Sequence, residues 1–195
     1  VARIIAEAEP DLIEVNISCP NVASEFGTPF SAAAASAAAV TRVVRRAVRL
    51  PISIKLAPNV ANIGQIAKAA AEEGADAITA INTMPAMLID AAAGKPVLHN
   101  RSGGLSGPAL KPIALRCVYE IAQAVSLPII GTGGVSTGID AAEMLMAGAS
   151  LVGVGSAVWQ AGPAAFARIG AELLAFMQGA GYGTVKELRG RAIAR

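Results

Sequence analysis

A chain of 195 residues is long enough for one well-packed domain with a sizeable core. With 54% hydrophobic, 15% charged and only 4% aromatic residues it is too apolar to be disordered, and its excess of Ala, Val, Ile and Gly suits helices packed on buried parallel strands. The net charge of +2 is scattered along the chain, so no clustered field exists for nucleic acid or an anionic membrane.

The start, Val1 to Pro10, has a helical pattern carrying Arg3, Glu7 and Glu9 and lacks the apolar stretch of a signal peptide. Short β-branched runs bounded by turn residues then predict strands at Leu12 to Ser18, Ile52 to Leu56, Ala77 to Asn82, Pro128 to Gly131 and Ser150 to Gly155. Each is followed by a helix signal: Ser31 to Arg49, Asn62 to Glu73, Leu110 to Val125, Gly138 to Ala147 and Pro163 to Gln178. Arg42, Arg45, Arg46 and Arg49 have helical spacing and read as a solvated face. Glu73-Gly74-Ala75-Asp76 and Ala147-Gly148-Ala149-Ser150 mark αβ turns of one design, each with a glycine placed to end a helix in the left-handed conformation. Between Asn82 and Leu110 about twenty-seven residues rich in Gly, Pro and Met break the rhythm, and a loop of that length is usually a functional lid or disordered.

Five consecutive βα units fit either an open doubly wound sheet or part of a barrel of eight. Gly131-Thr132-Gly133-Gly134-Val135-Ser136 follows a strand and opens a helix as a dinucleotide fingerprint does. It departs from that fingerprint at Ser136, and no acidic ribose ligand follows at the next strand, Leu151 to Gly155. No uncharged apolar run approaches the eighteen or so residues of a membrane span. Cys19, in a Pro/Asn loop, and Cys117, in an apolar helical stretch expected to be core, make no disulfide framework, which points to a reducing compartment and a cytoplasmic protein.

Polar groups gather at the C-terminal strand ends: Asn16, Ser18 and Cys19 after the first strand, Lys55 in the second, Asn82 and Thr83 after the third. Lys55 stands in an apolar strand, where a cation is costly unless it meets an anion or a polarised oxygen. The glycine-rich ends of the last two strands, Gly133-Gly134 and Gly155-Ser156, expose N–H groups beside helix starts and offer a place for a phosphate. No metal centre is expected. His99, in the long loop, reads as a surface residue.

Six ordered motifs carry a resemblance. Asn16-Ile17-Ser18-Cys19-Pro20-Asn21-Val22 resembles the catalytic loop of class 1 dihydroorotate dehydrogenases. Ile54 to Val60, Ile81-Asn82-Thr83, Gly103 to Ala109, Ile129 to Gly134 and Val154-Gly155-Ser156 resemble that family's later motifs, and the similarity extends to Gly181-Tyr182 and Glu187 to Gly190. The segment Ala23 to Phe30 departs from the family's glycine-rich continuation.

The resemblance implies an α/β fold, a (β/α)8 TIM barrel, with residues 1–195 forming the C-terminal portion of a single FMN-binding barrel domain, about the last five βα units. It implies FMN held by Asn16, Lys55, Ile81, Gly107, Gly133, Gly134, Gly155 and Ser156, with Lys55 near the pyrimidine edge of the ring and the glycines around the phosphate. It implies dihydroorotate and orotate as substrate and product, bound by Asn16, Asn21, Asn82 and Thr83, whose amides and hydroxyl suit a planar pyrimidine. Cys19 would be the base that removes the C5 proton while hydride leaves C6, a role suited to a thiol of reference pKa about 8.5. A cysteine there resembles class 1 and disfavours quinone. The run Gly103 to Val118 resembles the subclass that passes electrons to NAD through a partner subunit with FAD and an iron–sulfur cluster more than it resembles the fumarate-using one. A homo-oligomer is expected, with no nucleic-acid or membrane partner. A dihydropyrimidine dehydrogenase-type domain is the nearest enzyme alternative, and Asn21 argues against it. The non-enzymatic alternative is a truncated barrel fragment that turns nothing over.

Overall fold

The computed structural model describes residues 1–19 and 30–193, so Asn21 of the expected substrate set lies outside the described residues. Five strands form one parallel sheet: β1 (Ile13–Asn16), β2 (Ile52–Leu56), β3 (Ala77–Ala80), β8 (Ile129–Thr132) and β9 (Leu151–Gly153). Their order in space is their order in sequence. Each new strand adds to the same edge, so the order has no reversal and hence no switch point of the doubly wound, dinucleotide-binding kind. Right-handed crossovers of constant direction put the intervening helices on one side of the sheet. Neighbouring helices pack in series there: α2 (Ala34–Ala47) on α3 (Ile63–Glu72), α3 on α4 (Lys111–Ala124), α4 on α5 (Gly138–Met146), and α5 on α7 (Ala164–Gly179).

The strands are buried unevenly. In β2 the residues Ile52, Ile54 and Leu56 are wholly buried on the helix side, and they join Ile78 of β3 and Ile129 of β8 in the main core. Alternation sends Ser53 and Lys55 to the other face, beside Glu14, Asn16 and Thr79 of the flanking strands. Burying each of those isoleucines stabilises the fold by about 1.5–3 kcal/mol.

Gly74 and Gly148 have φ of 92° and 114°, and both follow one hydrogen-bond scheme. The residue after each glycine donates its N–H to a carbonyl five residues back (Ala75 to Ala70, Ala149 to Met144), and the next donates across to the preceding strand (Asp76 to Ile52, Ser150 to Ile129). Arg42 and Arg45 are not merely solvated. Arg42 pairs with Glu73 and Arg45 with Asp76, and Arg45 also donates to the carbonyls of Val48 and Leu50, so this stretch of α2 is tied to the αβ turn that follows α3.

The long connection after β3 has structure of its own. An antiparallel ribbon of β4 (Met84–Ala86) and β7 (Gly103–Leu105) carries a smaller one of β5 (Ile89–Asp90) and β6 (Lys95–Pro96). His99 is exposed between them. The helical pattern at the start of the chain folds as α1 (Ala2–Ala6), whereas sequence reading missed three short helical pieces: a 3-10 turn at Phe30–Ala32, α6 (Ser156–Ala161) and α8 (Val185–Leu188). Leu188 of α8 closes a small second core with Ala142, Leu145 and Met177. Among the described residues no helix is long and apolar enough to cross a membrane.

Candidate active site

The C-terminal ends of the strands surround a cleft of about 150 Å³. Lys55, Ile81, Asn82 and Thr83 line one part of it, and Gly107, Gly133, Gly134, Gly155 and Ser156 line the rest. Nine positions expected from the sequence are therefore brought together by four strand ends and the turn before α4. Ser106, Leu110 and Thr132 complete the lining. Sequence reading assigned them no role, although Ser106 and Thr132 lie inside two of the quoted motifs.

Asn16 and Cys19 do not line this cleft, but Asn16 is wired to it. Its Oδ1 accepts from the N–H and hydroxyl of Ser18 at 3.2 and 3.1 Å, and from Asn82 Nδ2 at 3.3 Å. Asn82 also donates to Ser18 Oγ at 3.1 Å, and its own Oδ1 accepts the Thr83 N–H at 2.8 Å. Ser18 is thus a buried joint between the first and third strand ends. A β-carbon at Gly104 would collide with Thr83 Oγ1, so the absence of one lets the β4–β7 ribbon seat against that threonine. No acceptor meets Asn16 Nδ2 among the described residues, which leaves one amide donor for a ligand. Cys19 follows as a free, half-buried thiol at the tip of the first strand.

Among the described residues Lys55 is the one charged residue in the lining. Its ammonium lies 3.0 Å from Glu14 Oε1, a partner that sequence reading did not identify. Deeper on the same face Ser53 and Thr79 share a hydroxyl hydrogen bond of 2.8 Å.

The glycine turns have a steric reason. Gly133 and Gly134 have φ of 132° and 75°, and Gly107 has 88°. A β-carbon on Gly134 would fall 2.6 Å from Lys111 N and 2.9 Å from Gly107 O, both backbone atoms that cannot swing aside. Among the described residues none accepts from the N–H of Gly134 or Gly155. Gly155 has open space around it and φ of −115°, so its smallness there meets no internal demand.

Beside the cleft, Asp140 is the N3 residue of a capping box with Thr137 at the start of α5. Burial opposes its ionisation, yet Lys111 and the N–H groups of Ser136 and Thr137 outweigh burial and hold the carboxyl below the usual range. Lys111 is held above the usual lysine value by its hydrogen bonds to Asp140 and Glu143. Cys117 is fully buried in α4, and burial pushes its thiol up to about 11. A thiol so placed is inert at neutral pH.

Sheet and cleft together define an α/β protein whose polar and glycine-rich strand ends converge at one side of a parallel sheet. Residues 1–177 match the family model for dihydroorotate dehydrogenase, and the chain belongs to that family. It is 47% identical over 192 residues to the dihydroorotate dehydrogenase B (NAD(+)) catalytic subunit of Methanosarcina mazei, covering 98% of this chain and 60% of that relative. It is 52% identical over 157 residues to the subunit of the same name from Alkaliphilus oremlandii, covering 80% of this chain and 52% of that one. The chain therefore spans about 60% of the length of the first of these relatives. A crystal structure of DHODH in complex with ferulenol from Eimeria tenella superposes with a TM-score of 0.83 at 23% identity, covering 99% of this chain and 57% of that one, a likeness of fold.

Proposed function

We propose that this chain is the C-terminal part of a (β/α)8 barrel that binds FMN and oxidises dihydroorotate to orotate in pyrimidine synthesis. The in-line strand order with helices on one side supports the barrel, since that winding continued for eight units closes on itself. The observation that carries the function is the cleft, which gathers residues from five separate motifs at the strand ends, the side where barrel enzymes build their sites.

The cleft's residues fit FMN in two respects. Gly134 and Gly155 offer unpartnered N–H groups in a place that side chains would fill, as a phosphate dianion needs. Lys55 supplies one positive charge at the other end of the lining. Cofactor sites usually run to about 300–1,000 Å³, so this cleft takes the phosphate and an adjoining part of such a group. Bound FMN supplies the acceptor for the hydride that leaves C6.

The protein residues divide the remaining work. Asn16 and Asn82 are already held together through Ser18, and Thr83 through Asn82, and they orient the pyrimidine carbonyls and N–H groups; Asn21 is proposed to join them. Cys19 takes the proton from C5. Lys55 holds positive charge beside the ring, where electron density rises. The relatives are named as NAD(+)-linked catalytic subunits, and on that basis the electrons pass to NAD through a partner subunit carrying FAD and an iron–sulfur cluster.

The test is Cys19→Ala. Flavin content and orotate affinity should stay near wild type, while flavin reduction by dihydroorotate in stopped flow slows by about a hundredfold, the worth of a positioned base. Reduction within about threefold of wild type would remove Cys19 from the mechanism. Absence of flavin absorbance from the purified protein would overturn the FMN reading itself.

A further inference from the structure

The phosphate cradle has a support that belongs to neither turn. Asp140 Oδ2 accepts the N–H groups of Ser136 and Thr137, both at 2.8 Å, and Oδ1 lies 2.6 Å from Lys111 Nζ. Ser136 and Thr137 close the chain segment that begins at Gly133 and Gly134. Lys111 opens α4, one 3-10 turn after Gly107, and Leu110 N–H donates to Gly107 O at 2.9 Å. One carboxylate thus joins the far ends of two glycine turns that meet at the cleft.

We propose that Asp140, acting with Lys111, is a positioning residue for the phosphate of the flavin: it fixes the spacing between the Gly107 turn and the Gly133–Gly134 turn. This rests on the phosphate reading of the cleft. The spacing has little slack, because the two turns already touch where a Gly134 β-carbon would stand. The clasp also decides which amides remain. Ser136 and Thr137 spend their N–H groups on Asp140, whereas among the described residues nothing accepts from those of Gly134 and Val135, which stay available to an anion.

A carboxylate close to a phosphate site needs its charge offset. Lys111 offsets part of it, sharing one positive charge between Asp140 and Glu143 at 2.6 and 2.7 Å, and the amides at the start of α5 offset more. Asparagine cannot replace the aspartate. Its oxygen can keep the two amide bonds, but its NH2 group would then face the lysine ammonium, and the tie to α4 breaks.

The experiment is a pair of flavin fluorescence titrations of the protein, one with FMN and one with riboflavin, which lacks the phosphate. Wild type should prefer FMN. In Asp140→Asn and in Lys111→Met the FMN affinity should fall about tenfold while riboflavin affinity stays within about twofold, a loss confined to the phosphate. A merely structural role would lower the melting temperature and weaken both ligands alike, and an unchanged preference for FMN would overturn the clasp. If Asp140→Asn does not fold, Lys111→Met leaves the Thr137 cap and both amide bonds intact and gives the same reading. A wild type with no preference for FMN overturns the phosphate reading, and the clasp with it, before any substitution is compared.

Discussion

On the helix side of the sheet the residues of β2 are Ile52, Ile54 and Leu56, wholly buried among other aliphatic side chains; on the opposite side the same strand shows Ser53 and Lys55. The first face has no hydrogen bonds to satisfy and depends on close packing. The second is a set of polar groups that satisfy one another: Ser53 with Thr79, Lys55 with Glu14, and Asn16 with Ser18 and Asn82. Polar groups left unpaired in the interior would cost about 1–3 kcal/mol each, so this pairing lets the face exist without a ligand. On the proposed function, stability and chemistry are thereby carried by alternate residues of the same strands.

The largest test of that division is Ile54→Ala. Ile54 is fully buried between β1 and β3 on the helix side, and truncation leaves a cavity its neighbours cannot close. Urea unfolding should show a loss of about 2–5 kcal/mol. A loss below about 1 kcal/mol would mean that this face is packed loosely and that the comparison between faces is wrong.

A smaller effect is expected at Asp140 and Lys111, in the first turns of α5 and α4. Asp140 has its folded-state pKa depressed, so its contribution is present above the ordinary aspartate value of about 3.9 and is lost as pH falls through the lower folded value. Lys111 has its folded-state pKa raised, so its contribution is whole below the ordinary lysine value of about 10.4 and is lost as pH rises through the higher folded one. The stability gap between wild type and Asp140→Asn should therefore be flat from about pH 5 to 10 and should narrow on the acid side. A gap that changes steadily across neutral pH would assign the effect to some other group.

The strands were legible because β-branched runs between turn residues have few other meanings, and observed ends differ from expected ones by at most two residues. The turns at Gly74, Gly148, Gly133 and Gly134 were legible because φ above zero leaves glycine as the natural choice. Gly155 was found by motif alone, since its backbone makes no such demand. The ribbon from Met84 to Leu105 was not legible: strands of two or three residues show no period, and Gly, Pro and Met read as loop. The pairing of Lys55 with Glu14 was hidden for a different reason. The two are 41 residues apart, and strand register, not local pattern, brings them together. Asp140 and Lys111, 29 apart, were hidden likewise.

Lys55→Ala gives the smallest stability change and the sharpest separation of the two faces. The ion pair with Glu14 is partly open to water, with side-chain exposures of 24% and 38%, so its removal should cost less than about 1 kcal/mol in urea unfolding. Glu14, left alone, can turn its carboxylate to solvent, so no uncompensated charge stays buried. Flavin binding or its reduction by dihydroorotate should nevertheless fall clearly, because among the described residues no other charged residue lines the cleft. Glu14→Gln is the control: it keeps the lysine, breaks the same pair, and should leave both stability and flavin reduction close to wild type. If Lys55→Ala instead destabilises the fold by more than about 2 kcal/mol, the lysine belongs to the structural face. If the two variants lose flavin reduction equally, the pair and not the cation is what the site uses.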